Sequence, residues 1–447
     1  MAEPLKNIYD KNYIDRLAAD LKRFAPNFKE TQFKKDVFAA PWKELELKDR
    51  MRRIRESVAG CLPLSYEESL KVLVEAGEGF GSFAGMLFPD FVSSYGLNAW
   101  APSMRALKAL TAYSSSEFAI RPFLRAEPKK GMEQMLKWSL DKNEHVRRLA
   151  SEGCRPRLPW AEALVFLKKD PTAILPILEN LKKDKSLYVR KSVANNLNDI
   201  SKDHPNVVLK IAKKWLKSGH EDTQWIVKHA LRTLLKSGNK EAMSLFGYGE
   251  KKDIGDISIT LETPLIYLDD RLRVSIKGNL RKKMKLRIEY ALHFLLKNGS
   301  WGRKVFKISE KEMLKGDFSI VREHHFKTMT TRSFNEGAHA FELILNGISF
   351  GIKPFYFWNE RSAYQVYMLK TERNTLYTGV TTDVNRRFLE HLGLEKGGAK
   401  FTKAQKPERL LYLEKATNRS HAQKREAAIK KLSRKQKEQL VDHSFGS

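Results

Sequence analysis

The chain has 447 residues, 42% apolar and 30% charged, which supports folded globular domains and excludes a disordered or fibrous chain. Its 82 Lys and Arg against 53 Asp and Glu give a net charge of +29, spread as +13 over residues 1–244, +6 over 245–360 and +9 over 362–447, with Arg361 supplying the remaining charge; an excess in every segment points to an extended polyanion contact. Two cysteines, no signal-like start and no apolar run near about 18 residues exclude a disulfide scaffold and a membrane span, so the expected compartment is the cytoplasm, alongside the nucleoid.

From residue 1 to about 245 the pattern predicts helices. Apolar residues recur at three- and four-residue steps in Ile14, Leu17, Leu21 and Phe24, in Leu70, Leu73 and Val74, and in Met104, Leu107 and Leu110. Breakers fall at Ala25-Pro26-Asn27, Gly77 to Gly81 and Pro128 to Gly131. A weak repeat runs through this half. Asp141-Lys-Asn-Glu-His-Val146-Arg147-Arg148 returns 43 residues later as Asp184-Lys-Ser-Leu-Tyr-Val189-Arg190-Lys191, and a third copy lies around Asp222 to Val227-Lys228. Periods of about 40 residues mark HEAT and armadillo helix pairs, which bury their apolar faces against their neighbours and stack into a solenoid. The basic residue after each Val either follows a phosphate backbone or pairs with a neighbouring acid. Cys61 and Cys154 are expected to be buried.

Residues 250–358 change to short alternating runs, including Ile257 to Leu261, Leu272 to Ile276, Leu286 to Tyr290, Val305 to Ile308 and Phe341 to Leu345. Seven strands in about 100 residues fit an all-β immunoglobulin-like sandwich. His324-His325 has no partner at metal-ligand spacing and is expected on the surface or facing the sheet.

A polar break at residues 358–361 leads into a small α+β module over 362–447. Tyr364-Gln-Val-Tyr367-Met-Leu reads as a strand, Arg373-Asn374 as a turn and Leu376-Tyr377-Thr378-Gly379-Val380 as a second strand. A helix then carries Arg387 and His391, and a later one, over 421–432, has Glu426 as its one acid among basic residues.

This module resembles the GIY-YIG nuclease superfamily, particularly its small stand-alone members. Val366-Tyr367 stands at the GIY position and Tyr377-Thr378-Gly379 at YIG, and Arg387, His391 and Glu426 arrive in order within about 80 residues. The resemblance implies one-metal phosphodiester cleavage. Glu426 would bind Mg²⁺ or Mn²⁺, Tyr377 would activate the attacking water, and Arg387 would stabilise the phosphorane charge. Tyr367 and His391 would assist in positioning or proton transfer. Such chemistry requires a charge clamp on the pentavalent transition state, and a phenol serves as base only when nearby cations lower its pKa from about 10. Thr378 replaces the usual aliphatic residue, and Lys435 or Lys437 stands where many members place a polar residue such as Asn.

The first 355 or so residues resemble the AlkC branch of the HEAT-like DNA glycosylases. The resemblance rests on the opening Ala2-Glu-Pro-Leu-Lys, the repeats, the stretch Trp225-Ile-Val-Lys-His-Ala-Leu-Arg232, and an immunoglobulin-like domain directly after them. It implies excision of N3-alkylated cationic bases, 3-methyladenine and 3-methylcytosine, from double-stranded DNA by a monomer, with no cofactor. A cationic base is already a good leaving group. What helps is a carboxylate beside the deoxyribose and aromatic faces near the positive charge. Ser114-Ser-Ser-Glu117-Phe-Ala-Ile-Arg121 places Glu117 near a helix start, and Glu152-Gly-Cys-Arg155-Pro-Arg157-Leu-Pro-Trp160 packs acid, arginines and an aromatic ring into nine residues. Asp199 occupies the equivalent point of the next repeat. Glu117, Glu152 and Asp199 are therefore assigned to sugar or base contact and Trp160 to stacking, with Arg121, Arg155, Arg157, Arg190 and Arg232 on phosphates. The expected architecture is multidomain: a helical-repeat glycosylase domain over 1–245, the sandwich over 250–358 and the nuclease over 362–447. A DNA-binding scaffold without catalysis, or a structure-selective nuclease using the repeats as a clamp, would carry the same charge.

Overall fold

The computed structural model of the protein describes residues 3–327 and 334–445, which divide into two compact units, Met1–Leu234 and Leu235–Ser447. The first is built of helices. In Lys11–Phe24 the Asp10 carboxylate accepts the Tyr13 backbone N–H at 2.7 Å and starts the helix, and Tyr13, Ile14, Leu17, Ala18 and Leu21 form one buried stripe. One expected breaker differs. Pro128 opens the helix Pro128–Trp138, where its missing N–H costs nothing, and Gly131 lies inside it because a Cβ there would meet Leu124 at 2.6 Å.

Four helices frame the candidate residues: α1 (Ile120–Ala126) carries Arg121, α2 (Glu144–Glu152) carries Glu152, α3 (Leu187–Ile200) carries Arg190 and Asp199, and α4 (Glu221–Ala230) begins the third repeat. The repeat is real, but its third copy is shifted. The N-caps are Asn143, Ser186 and His220, so the residue equivalent to buried Val146 and Val189 is Thr223, one turn before Val227. The basic residues after the valines pair forward along the repeats. Arg147 Nε lies 2.6 Å from Asp184, and Arg190 Nη2 lies 3.1 Å from Asp222. Each also donates to two carbonyls of its own preceding turn, those of residues 141 and 142 or 184 and 185.

In the second unit the short helix Lys240–Leu245 leads into a two-sheet sandwich of eight strands, one more than the sequence predicts. β1 (Ile254–Leu261), β2 (Leu265–Tyr267), β3 (Arg271–Leu280), β4 (Met284–Leu295), β5 (Trp301–Met313), β6 (Gly316–His325), β7 (Gly337–Leu345) and β8 (Ile348–Trp358) form sheets ordered β1-β3-β6 and β2-β8-β7-β4-β5. Their inner faces meet in one core that includes Leu272, Ile276, Leu286, Tyr290, Phe341 and Phe355. The expected strand runs lie in β1, β3, β4, β5 and β7. β2, β6 and β8 escaped the pattern because β2 is three residues long, β6 is largely polar, and Gly351 and Pro354 interrupt β8. His324 faces the sheet interior, with Nδ1 2.7 Å from Tyr290 Oη, and His325 Nε2 reaches the Asp269 carbonyl at 2.9 Å.

The C-terminal module is a three-stranded antiparallel sheet, β9 (Tyr364–Thr371), β10 (Leu376–Thr381) and β11 (Pro407–Ala416), ordered β10-β9-β11. It also has α5 (Val384–Leu392), α6 (Lys400–Ala404) and α7 (Arg419–Lys431). Period-two alternation divides the strands. Tyr367 and Leu369 face Val384 and Phe388 of α5, while Val366 and Met368 face Ala422 and Ile429 of α7. The first of these cores does not stop at the module. Leu265, Ala338, Tyr356 and Trp358 of the sandwich are buried in it.

Candidate active sites

In the first unit the structure gathers the sequence-predicted acids into one chain of alternating charge. Arg148, from α2, pairs with Glu117, and its other amino nitrogen lies 3.6 Å from Glu152. Arg155 then bridges Glu152 (2.6 Å) and Asp199 (2.8 Å), and Lys202 closes the series on Asp199 at 3.2 Å. Glu152, Arg155 and Asp199 are buried, at 5%, 7% and 1% exposure. Glu117 stands at the outer end, lining a cavity of about 270 Å³ with Tyr113, His145, Arg148 and Tyr188. The Arg148 guanidinium lies 5.0 Å over the Tyr188 ring. Arg148 and Tyr188 were missed in the sequence, where both read as ordinary members of the repeat.

Trp160 projects outward with 65% of its surface exposed. Its backbone holds φ +66, a left-handed conformation costly for a bulky residue, and Lys48 Nζ donates to its carbonyl at 3.0 Å. It lines a cleft of about 310 Å³ with Phe83, Phe118, Lys48 and Arg125.

The arginines assigned to phosphates are mostly occupied. Arg121 is 2% exposed and donates to the carbonyls of Gly153 (3.0 Å), Arg155 (2.8 Å) and Glu162 (2.6 Å); burial lowers its pKa to about 10. It is the staple of the loop that presents Trp160, because a fork of five N–H donors can collect three carbonyls that no helix satisfies. Arg155 and Arg190 are held in the ion pairs above. Arg232 donates to the His229 carbonyl (2.8 Å) and to Asn195 Oδ1 (3.0 Å). Arg157, paired with Asp203 by two bonds of 3.1 and 2.6 Å, keeps a 36% exposed side chain. Cys61 and Cys154 are both buried free thiols, and desolvation pushes Cys154 up to about 12.

In the C-terminal module Tyr367, Tyr377, Arg387 and His391 meet on the α5 face. Tyr367 Oη lies 2.8 Å from His391 Nε2, and His391 Nδ1 lies 2.6 Å from Thr402 Oγ1. The Thr402 hydroxyl donates to the Ala399 carbonyl at 3.0 Å, so it accepts from Nδ1–H. The proton order is then Tyr367 O–H to Nε2, Nδ1–H to Thr402, Thr402 O–H to Ala399. Burial, then the Arg387 charge, lower His391 to about 4, which keeps the imidazole neutral. Burial holds the Tyr367 phenol well above its ordinary value. The Tyr377 ring packs on the edge of His391 at 5.1 Å and stacks on Phe401 at 5.8 Å. Arg387 lies against Tyr367 and pairs with buried Glu390, contacts that raise its pKa further despite desolvation. Gly379 makes this packing possible, since a Cβ there would lie 2.6 Å from Tyr367 Oη. Thr402 and Glu390 gave no signal in the sequence.

Glu426 starts from the other layer. It is ion-paired to Lys430 at 2.7 Å on α7, which packs over β9 and β10. β10 is an edge strand, and α7 packs on the face of the sheet opposite the Tyr367–His391 cluster. Among the described residues no three His, Cys, Asp or Glu cluster as a metal cage. A lone carboxylate suits a hard cation that keeps most of its waters and takes further oxygens from a phosphate.

Residues 106–234 match the family described as DNA alkylation repair enzyme, residues 256–358 the C-terminal Ig-like domain of the uncharacterised protein YhaZ, and residues 363–439 the GIY-YIG catalytic domain. The Bacillus subtilis protein YhaZ is 46% identical over 344 residues, which are 77% of this chain and 96% of that protein. A solved structure of the Pseudomonas fluorescens alkylpurine DNA glycosylase AlkC, bound to DNA containing an abasic site analog, superposes with a TM-score of 0.74 at 38% identity. The match covers 80% of this chain and 100% of that one. The chain belongs to the AlkC-like alkylation-repair family. To the AlkC-like helical and Ig-like domains it adds a GIY-YIG domain whose relatives are small proteins. A UPF0213 protein of Natronomonas pharaonis is 45% identical over 83 residues, 19% of this chain but 95% of that protein. No described helix of this AlkC-like protein is long and apolar enough to cross a membrane.

Proposed function

We propose that this chain binds double-stranded DNA as a monomer and removes N3-alkylated cationic bases, such as 3-methyladenine and 3-methylcytosine, through its first unit. Its C-terminal module then cuts a phosphodiester bond with Mg²⁺ or Mn²⁺. The observation that carries the reading is the placement of Glu117 at the open end of a charge-balanced row, with Trp160 exposed on the loop that Arg121 staples. A positive base needs no acid to leave, so the demand on the protein is a carboxylate that gains interaction energy as the sugar becomes oxocarbenium-like. Glu152 and Asp199 act behind Glu117 by fixing Arg148 and Arg155, and Trp160 offers an aromatic face to the distorted duplex. That a related AlkC is bound to abasic-site DNA supports DNA as the partner.

In the nuclease the cation, held by Glu426, would supply charge neutralisation at the scissile phosphate. Arg387 provides a second positive charge, and its pairing with Glu390 fixes its direction. Neutral His391 takes the Tyr367 proton as a hydrogen bond and keeps that phenol un-ionised. Tyr377 is left as the group that orients the water.

A duplex carrying one 3-methylcytosine or 3-methyladenine, end-labelled and incubated with and without Mg²⁺, tests both halves. The expected products are free base without metal and a metal-dependent nick that vanishes in Glu426→Ala. Absence of free base refutes the glycosylase half, and an uncut abasic strand with Mg²⁺ present refutes the coupling. The burial of Glu152 and Asp199 in ion pairs favours a second reading, a nuclease that uses the first unit as a clamp. On that reading the chain nicks branched or distorted DNA, and Glu117→Gln behaves like the parent.

A further inference from the structure

The sandwich and the nuclease module are joined by more than chain continuity. Asn385, the second residue of α5 and two before Arg387, faces the short strand β2 and clasps its backbone. Its Oδ1 accepts the Leu265 N–H at 2.9 Å, and its Nδ2 donates to the Leu265 carbonyl at 2.7 Å. A side-chain amide that satisfies both polar groups of one residue mimics a strand pairing and fixes position in two directions.

A second link runs in parallel. Gln365 of β9, 1% exposed, donates through Nε2 to Tyr267 Oη of β2 at 2.9 Å. Its Oε1 accepts the backbone N–H of Val384, the first residue of α5, at 2.7 Å. The Arg361 guanidinium covers the Tyr267 ring at 5.1 Å. Leu265 itself is buried with Val384 and Phe388, so polar and apolar contacts converge on the start of the same helix. Tyr356 Oη adds a bond to the Leu411 carbonyl at 2.9 Å, and Lys415 pairs with Glu336 at 2.8 Å. A GIY-YIG module that stands alone has no β2 to hold this helix.

We propose that β2 of the sandwich, acting through Asn385 and the Tyr267–Gln365 link, is a positioning element of the nuclease that sets the helix presenting Arg387 and His391. Asn385, Gln365 and Tyr267 are positioning residues here and touch no reacting atom. The helix is nine residues long, so its start determines where Arg387 and His391 lie against Tyr367. Small misplacements of a charge clamp are costly because transition-state stabilisation depends on geometry fixed in advance. The sandwich is thereby part of the nuclease.

The inference rests on the nuclease reading, so its test has one arm that needs no activity. In the full chain, Asn385→Ala and Tyr267→Phe remove the two links separately, and Tyr267→Phe keeps the ring and its packing. Nicking by Asn385→Ala is expected to lose about 10- to 100-fold in kcat with KM unchanged. Tyr267→Phe is expected to lose less, and base release by the first unit should equal the parent's in both. In parallel, ¹⁵N-histidine spectra without DNA follow the His391 ring, its signals assigned with His391→Gln. They are expected to move in Asn385→Ala. Unchanged His391 signals overturn the proposal, as does parental kcat in both variants. A parent that never nicks removes the nuclease reading alone, and the spectra still decide whether β2 positions the helix.

Discussion

Replacing Arg155 by Met tests whether the buried charge row in the first unit is a structural necessity. The guanidinium lies 2.6 Å from Glu152 and 2.8 Å from Asp199, whose side chains are 6% and 2% exposed. Met fills much of the space but carries no charge, so two desolvated carboxylates lose their common partner. Removing one member of a buried pair costs about 3–5 kcal/mol. Arg148 at 3.6 Å and Lys202 at 3.2 Å remain as partial compensation, which places the expected loss near the lower end, about 3 kcal/mol. In a unit of this size that corresponds to a melting temperature lower by about 6–12 °C. Six of the eight tryptophans lie before residue 235, so intrinsic fluorescence during urea unfolding reports this unit in the full chain. The same measurement on Arg155→Met with Glu152→Gln and Asp199→Asn should recover most of the loss, since no buried charge is then left unpaired. A cost below about 1 kcal/mol for Arg155→Met, or no recovery in the triple variant, would refute the reasoning.

Two further outcomes follow from the second unit. Gly379→Ala puts a methyl group 2.6 Å from Tyr367 Oη, too close for the ring to keep its place, so metal-dependent nicking should fall by about tenfold or more while base release is unchanged; equal nicking would show that the Tyr367–His391 bond is dispensable. His339 and His391 are both lowered to about 4, chiefly by burial, so the unfolded chain takes up protons first as pH drops below about 6.5. Stability contributed by their neutral forms is therefore present above that pH and lost progressively towards pH 4, by about 2 kcal/mol per histidine at pH 5. Scanning calorimetry at pH 7 and pH 5 should show the second unit's transition moving down, less so in His339→Gln, and a flat profile would contradict the burial argument.

The sequence by itself determined the order of helical repeats, sandwich and α+β module, because each has its own period and the breaks between them are polar. The resemblance to the GIY-YIG nucleases groups Tyr367, Tyr377, Arg387 and His391, and in the structure strand alternation and one helical turn place them on one side. The sequence placed Glu117 near a helix start and Glu152 and Asp199 at equivalent points of successive repeats. The tertiary structure decided what surrounds them. Arg148, one turn before Glu152 on the same helix, joins that acid to Glu117 of the turn before α1, and Arg121, four residues after Glu117, turns inward to bind three carbonyls of a loop more than thirty residues away. An arginine beside an acid reads the same whether it meets a phosphate or a carbonyl, because the residue type records the charge and not the partner. The third repeat slipped by one turn for a related reason: Thr223 can fill a buried position when its hydroxyl finds the Lys182 carbonyl at 2.8 Å, and an apolar pattern cannot anticipate that bond. The clasp of Asn385 on Leu265 joins positions 120 residues apart, with a backbone as its target. Backbone groups are alike at every position, so such a contact leaves no trace in the order of side chains.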